Sequence, residues 1–119
     1  METKWIEDVC LIPLRFNDGT VSIRELFEAA QVTRADRPVF EGAVRAFLET
    51  RPELVEAWAT YSANKRSSPS PYFEVKSAES VVGFFEQGRE SERWFADSVA
   101  ACAAFIFDEA VWVIEGRRP

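Results

Sequence analysis

Residues 52–85 read PELVEAWATYSANKRSSPSPYFEVKSAESVVGFF, and the period of the apolar positions changes within this stretch. As far as Tyr61 the apolar residues recur every three to four positions, as they do on one face of a helix. Beyond the Ser/Pro-rich turn at Ser67–Pro71 they form two short aromatic runs, Tyr72–Val75 and Val81–Phe85. Short extended runs bounded by turn residues are typical of strands. The stretch therefore predicts a helix followed by strands, with mainly helical sequence before it and one long apolar helix after the strands.

The first apolar segment, residues 4–16, is compatible with two kinds of secondary structure. Its apolar residues at positions 5, 9, 12 and 16 have helical spacing, whereas the run Val9–Ile12 also suits a buried strand. Pro13 is unfavourable in the interior of either. We favour a helix. The Asn17–Gly19 segment that follows predicts a turn, because Gly adopts positive φ and Asn or Asp closes local hydrogen bonds.

Two start signals predict the next helices. Ser22 and Glu25 form a capping box, and the helix that they begin is expected to end near Gln31. After a polar loop at Thr33–Arg37, Pro38 predicts another helix start, because the first helical position needs no amide. The apolar residues on the expected buried face of that helix are Val39, Phe40, Ala43, Val44, Phe47 and Leu48.

Pro52 begins the helix of the deciding stretch in the same way. The expected inner face of this helix comprises Leu54, Val55, Trp58 and Tyr61. Lys65 and Arg66 fall at its C-terminal end, where the helix dipole favours cations.

Residues 72–95 predict a small antiparallel meander of three strands, with a bulge near Gly83. Asp97 is expected to cap a long C-terminal helix. The residues expected to point inward from that helix are Val99, Ala100, Ala103, Ile106 and Phe107. Val111–Ile114 either continues the helix or forms a fourth strand. Gly116 is a helix-stop signal, and we therefore favour the helix.

Composition and charge limit the classes of protein. At 119 residues the chain has the length of one domain, and its 47% hydrophobic content is enough for one core. We expect a single α+β domain spanning residues 1–119. Fourteen Lys and Arg against twenty Asp and Glu give a net charge of −6, which argues against direct binding of nucleic acid. An acidic surface instead speeds association with a basic partner.

The two cysteines indicate a reducing compartment. Cys10 and Cys102 are far apart in the sequence and lie in apolar runs, where reduced core cysteines are usual. A single disulfide between them is the alternative, but reduced thiols and a cytoplasmic location fit better. The N-terminus lacks the pattern of a signal peptide. No apolar run has the ~20 residues of a membrane span, so we expect no membrane contact.

The inventory of reactive groups is sparse. The chain has no histidine, which removes the commonest metal ligand and the usual activator of a nucleophile. Two separated cysteines do not make a structural zinc site, and no phosphate-binding, dinucleotide-binding or calcium motif occurs. Catalysis would need a carboxylate pair or a lysine of lowered pKa, and fifteen glutamates make accidental pairs common. We expect no enzymatic activity, cofactor or metal.

The chain is similar to small acidic immunity proteins of bacteria in the segments Pro52–Trp58, Tyr61–Ser62, Lys65–Arg66, Tyr72–Phe73 and Ala100–Ile106. The similarity extends over roughly residues 50–107. Such proteins accompany the toxins of contact-dependent growth inhibition and related polymorphic toxin systems. They bind the toxin domain, often a nuclease, and block it without chemistry of their own. The resemblance implies a cognate toxin as the partner, but it implies no particular contact residue.

Our hypothesis is therefore an immunity protein that neutralises its toxin by surface complementarity. A toxin site that holds phosphates is cationic, and acidic side chains can occupy it in place of the phosphates. The acidic residues that we consider as partner contacts are Glu49, Glu53, Glu56, Glu86, Glu90 and Glu92.

The alternative is a homo-oligomeric structural or adaptor protein, for example a homodimer. It would bury exposed aromatic side chains, or an edge strand, against a copy of itself. The aromatic residues that lie beside polar residues or near segment ends are Trp5, Tyr72, Trp94 and Trp112. Those expected in the core are Phe40, Phe47, Trp58, Phe84, Phe85 and Phe105.

Overall fold

The computed structural model describes residues 4–16, 22–30, 36–64 and 69–116. Within these ranges the helices are α1 (Lys4–Cys10), α2 (Ile12–Phe16), α3 (Ile23–Ala29), α4 (Arg37–Thr50), α5 (Glu53–Asn64) and α6 (Ser98–Ala110). A π-helical turn, Val111–Glu115, continues α6, and the strands are β1 (Ser70–Val75), β2 (Ser80–Phe85) and β3 (Arg89–Phe95). This order confirms the α+β fold with a helical N-terminal half, a three-stranded meander and a C-terminal helix.

The three strands form one antiparallel sheet in the order β1-β2-β3, so β2 is central. The turn between β1 and β2 is tight, and the amide of Lys76 donates to the carbonyl of Glu79 at 2.8 Å. In the centre of the sheet, Phe73 lies opposite Val82, which in turn lies opposite Arg93. Because side chains alternate between faces, this row and every second row point to one side of the sheet.

The predicted bulge is present, but its extra residue belongs to β3. Between Val82 and Phe84, β2 contributes Gly83 alone, whereas the paired segment of β3 contributes Ser91 and Glu92. Ser91 has a φ of 54°, in the left-handed region that residues other than glycine seldom adopt. The bulge therefore interrupts the edge strand opposite a residue without a side chain.

Helix α6 lies against the inner face of the sheet and contacts α4, α5 and all three strands. A helix covered from several sides is apolar around its whole circumference. This explains why the inward set predicted for α6 was too narrow. The further residues of α6 that are fully buried include Ala101, Cys102, Ala104 and Phe105.

Trp58 of α5 occupies the middle of the core and is fully buried. Its ring centroid lies 5.4 Å from that of Tyr61, 6.0 Å from that of Phe105 and 6.4 Å from that of Phe27. The indole N–H donates to the carbonyl of Cys10 at 3.1 Å. One apolar cluster around this residue includes side chains from every α-helix and from β1 and β2.

The first two helical predictions are confirmed. Residues 4–16 are helical but break at Leu11, so that Pro13 falls in the first turn of α2, where its missing amide is harmless. Ser22 caps α3, because its hydroxyl accepts the amide of Glu25 at 3.1 Å. Helix α3 ends at Ala29.

Helix α4 begins beside Pro38 as predicted, but its buried face is narrower than expected. Phe40, Val44 and Leu48, four residues apart, are buried. Val39 is 61% exposed, so its predicted burial was wrong. Each helical residue is rotated by about 100° from the last, and Val39 therefore points away from the stripe that Phe40 begins.

The C-terminal predictions are confirmed in their local details. The carboxylate of Asp97 accepts the amide of Val99 at 2.9 Å and so caps α6. Val111–Ile114 continues the helix, in the π-helical turn. Gly116 ends it with a φ of 68°, a conformation that glycine adopts without strain.

Both cysteines are buried free thiols. Burial raises the pKa of Cys10 to about 12 and raises the pKa of Cys102 well above its ordinary value.

Among the described residues, every helix is too short or too polar to reach across a bilayer. Five predictions lie partly or wholly outside the described ranges: the turn Asn17–Gly19, the helix end at Gln31, the loop Thr33–Arg37, the basic pair Lys65–Arg66 and the turn Ser67–Pro71.

We predict that Trp58→Phe lowers the free energy of unfolding by about 2–4 kcal/mol. The substitution removes apolar contacts and leaves the Cys10 carbonyl without its donor. Urea unfolding followed by far-ultraviolet circular dichroism measures the change. Trp94→Phe is the matched control, since Trp94 is 51% exposed, and it should change the free energy by less than about 0.5 kcal/mol. Equal effects of the two substitutions would contradict the central role of Trp58.

Candidate functional site

One face of the sheet points away from α6. We call it the outer sheet face, and its residues are Tyr72, Glu74, Val81, Gly83, Phe85, Arg89, Glu92 and Trp94. None of them belongs to the core cluster or packs against it. The exposed ends of this face are available for contacts outside the fold, whereas Val81 and Gly83 on its central strand are buried.

Large apolar side chains are exposed at both ends of the outer sheet face. Trp94 is 51% exposed on β3, and Phe85 is 42% exposed at the end of β2. A sheet with one solvated face normally has polar residues on that face. The two aromatic side chains depart from this rule, and the expected core position of Phe85 was wrong. Strand alternation was the missed signal, because it places Phe84 and Phe85 on opposite faces.

Tyr72 crosses the centre of this face because residue 83 is a glycine. The Tyr72 ring lies over Gly83, and its hydroxyl donates to the carboxylate of Glu92 at 2.5 Å. A Cβ atom at position 83 would lie only 2.6 Å from the Tyr72 hydroxyl oxygen. Partial burial, together with the bond to Glu92, raises the pKa of Tyr72 above its ordinary value. The phenol therefore stays protonated and remains a donor at neutral pH.

Arg89 forms a second polar contact across the same face. Its guanidinium donates to both carboxylate oxygens of Glu74, at 2.5 and 2.9 Å, and lies 5.2 Å from the centroid of the Tyr72 ring. Lys76 approaches Glu74 to 3.4 Å. The hydrogen bond from Arg89 is the main reason that the pKa of Glu74 falls below its ordinary value. The polar centre of the face is thus held in one arrangement by bonds between β1 and β3.

Two of the three acidic residues predicted in the hairpin lie on or beside this face, whereas Glu90 lies opposite Phe84 and points to the other side of the sheet. Glu92 is part of the outer sheet face, Glu86 is exposed at the start of the β2–β3 turn, and Glu90 is half-buried on β3. The structure therefore places Glu86 next to the exposed Phe85, Glu92 at the centre of the face and Glu90 on the opposite side of the sheet.

The other three predicted acidic residues lie on different elements. Glu49 is in the last turn of α4 and is 3.8 Å from Arg45, whereas Glu53 is 2.6 Å from Arg51. Glu56 lies in the first turn of α5, on a groove of about 600 Å³ between α5 and β1.

Glu56 and Glu86 lie near opposite ends of the sheet. Glu56 shares its groove with Lys76, which begins the β1–β2 turn. Glu86 begins the β2–β3 turn, at the opposite end of β2. Six residues of strand span about 17 Å, so the six predicted residues do not form one patch. That any of them contacts a partner remains a prediction.

Buried charges form a separate cluster next to the sheet. Asp108 of α6 is 3% exposed and accepts hydrogen bonds from Arg37 of α4 and Arg93 of β3. These residues line a cleft of about 480 Å³. Glu109, also buried, accepts a hydrogen bond from the hydroxyl of Tyr61. Each contact joins α6 to another element, and we interpret both as parts of the scaffold.

No metal site is evident in the described part of the chain, where no three His, Cys, Asp or Glu residues are grouped so as to hold an ion. No protein-family model matches the chain, and neither a curated protein nor a solved structure shows significant similarity to it.

We predict that Gly83→Ala destabilises the protein by about 1–3 kcal/mol, because the new methyl group displaces the Tyr72 ring from Glu92. In a Tyr72→Ala background the same change should be neutral or slightly stabilising, since alanine suits a strand better than glycine. Urea unfolding of the four proteins measures this coupling. Gly88→Ala is the control, because nothing lies within 4 Å of its added Cβ. Additive effects would contradict the contact.

A second prediction concerns pH. The pKa of Glu74 is lowered in the folded protein, so its contribution to stability is present above the unfolded value of 4.5 and is lost as the pH falls through the folded value. Glu74→Gln should therefore cost about 0.5–1 kcal/mol near pH 7 and less near pH 3.

Urea midpoints of both proteins at the two pH values measure the difference. Glu79→Gln, at an exposed glutamate of the β1–β2 turn, is the control and should show no such pH dependence. A cost for Glu74→Gln that is equal at both pH values would show that it does not arise from the ion pair.

Proposed function

We propose that the protein is an immunity-type inhibitor that binds a cognate basic toxin domain through the outer sheet face. Toxins with nuclease activity are the main candidates, and the inhibitor acts by covering the toxin without chemistry of its own. The observation that carries the proposal is the exposure of Trp94 and Phe85 at the two ends of a solvent-facing sheet. Aromatic residues of this kind provide most of the binding energy in protein interfaces.

The polar centre of the face supports the same function. Tyr72 is bonded to Glu92, and Arg89 is bonded to Glu74, before any partner arrives. Side chains already held in place lose little conformational entropy on binding. Tyr and Arg are also enriched in interfaces. The outer sheet face is therefore preorganised for association.

The size of the face indicates that the partner also touches its rim. Three strands of six or seven residues make a face of about 20 by 15 Å. A stable interface usually covers ~800 Å² on each partner, which is larger. Glu86 lies on the rim beside Phe85, and acidic residues at a rim accelerate association with a basic protein. The net charge of −6 has the same effect at longer range.

Self-association remains the second candidate, because the same exposed aromatic side chains can bury against a copy. The strand edges are poorly suited to it. On β1, Pro71 has no amide and the amide of Phe73 donates to the Ser62 hydroxyl at 2.8 Å. On β3, charged residues and the bulge at Ser91 protect the edge. A homodimer would therefore use the outer sheet face rather than strand pairing.

The test is co-expression of the protein with the products of the genes on either side of its own, followed by pull-down from the native cell. We expect one stoichiometric basic partner whose toxicity disappears on co-expression. Trp94→Ala should weaken binding more than tenfold, because a buried aromatic anchor is lost. Val39→Ala is the matched control: Val39 is 61% exposed on α4, away from the sheet, and binding should change less than about twofold.

The glutamates of the hairpin and those of α4 and α5 allow a matched comparison of two triple variants. Changing Glu86, Glu90 and Glu92 to Lys should abolish protection and flatten the salt dependence of binding. The same change at Glu49, Glu53 and Glu56 should have a much smaller effect, since these residues lie on α4 and α5 rather than on the sheet. Unchanged affinity for both triple variants would exclude acidic complementarity. Recovery of the protein alone, as a dimer by light scattering, would favour self-association.

A further inference from the structure

We infer that Glu92 and Trp94 form a recognition site for a guanidinium group, which an arginine side chain of the partner supplies. The inference deepens the proposed function, since it names the chemical group that the outer sheet face selects. It is carried by a comparison between the two edge strands of the same sheet.

Strand β1 shows how this face holds a guanidinium. Tyr72 and Glu74 are two residues apart and therefore on the same face. The Arg89 guanidinium lies 5.2 Å from the Tyr72 ring centroid and donates two hydrogen bonds to Glu74. An aromatic face and a carboxylate at this spacing thus bind one guanidinium by a cation–π contact and by a bidentate ion pair.

Strand β3 repeats the pair in the reverse order. Glu92 and Trp94 are also two residues apart, about 7 Å along the strand, and both point to the outer sheet face. Both are exposed. Among the described residues no cation lies over the Trp94 ring. The second pair therefore has the composition of the first without its guanidinium.

The register places the aromatic residue of each edge strand across the central strand from the carboxylate of the other. Tyr72 lies across Gly83 from Glu92, and Glu74 lies across Val81 from Trp94. Glu74 already binds Arg89 and Lys76, so it competes little for a further cation. For a cation placed over the Trp94 ring, Glu92 is the nearest carboxylate on β3.

Glu92 is also positioned to accept a donor from outside. Its Oε2 atom accepts a hydrogen bond from the Tyr72 hydroxyl, which restrains the carboxylate on the face. Its Oε1 atom has no donor among the described residues. A planar guanidinium can stack on the indole and donate to this oxygen at the same time, whereas a compact, strongly hydrated ammonium group does so less well. Tryptophan is the best aromatic partner for such a cation.

The test uses the isolated protein and N-acetyl-arginine amide as the probe. In a nuclear magnetic resonance titration we expect saturable shifts of the Trp94 indole and Val81 amide signals. N-acetyl-citrulline amide, which has nearly the same shape without the charge, should produce none, and N-acetyl-lysine amide should bind at least about threefold more weakly. Glu92→Gln should weaken arginine binding by about three- to fivefold, and Glu7→Gln, at an exposed glutamate of α1, is the control that should leave it unchanged.

Two outcomes would overturn the inference: equal shifts with the arginine and citrulline probes, or unaltered arginine binding in Glu92→Gln. Binding of lysine as tight as that of arginine would also overturn it, because the site would then select charge alone. The titration requires no toxin. If the probe does not bind but co-expression still protects, the guanidinium site is excluded and the proposed function stands. If the probe binds but co-expression does not protect, the proposed function is excluded and the site stands.

Discussion

The fold depends on the burial of the Trp58 indole. A buried indole N–H without an acceptor costs about 1–3 kcal/mol, and here the carbonyl of Cys10 at the end of α1 supplies the acceptor. The Trp58 ring also contacts Phe105 on α6, and the Phe105 ring stacks on Phe73 of β1 at 5.8 Å. One side chain of α5 thus positions α1 and α6 directly and the sheet through α6. The orientation of the outer sheet face follows from this series of contacts.

Two buried acids complete the placement of α6. Asp108 is bonded to arginines on α4 and β3, and Glu109, next to it in sequence, is bonded to Tyr61 on α5. A buried carboxylate is costly unless its partners satisfy it, so each acid restricts the rotation of α6 about its axis. In the described part of the chain, no buried side-chain nitrogen or oxygen atom lacks a hydrogen-bond partner. The helix under the sheet is therefore held in one orientation by polar contacts as well as by apolar packing.

The same restraint explains why the outer sheet face can carry exposed aromatic residues in a defined arrangement. Gly83 removes a side chain from the central strand, which lets Tyr72 reach Glu92 across it. Arg89 extends in the other direction, from β3 to Glu74 on β1. These contacts between edge strands hold the polar centre of the face in one arrangement and leave Trp94 and Phe85 exposed at its ends.

Sequence alone determined what depends on neighbours along the chain. The change of period within residues 52–85, the caps at Ser22 and Asp97 and the stop at Gly116 all follow from local hydrogen bonds or from spacing, and the structure confirms them. The acidic charge is likewise a property of composition.

Tertiary structure decided what depends on residues far apart in sequence. The burial of Asp108 requires arginines 71 and 15 residues away, and no local pattern indicates it. Phe85 looks like its neighbour Phe84 in the sequence, yet only the side of the sheet that α6 covers decides which of the two is buried. The arrangement of Glu92 beside Trp94 and across Gly83 from Tyr72 exists only once the strands are in register, because the bulge in β3 sets which residues share a face.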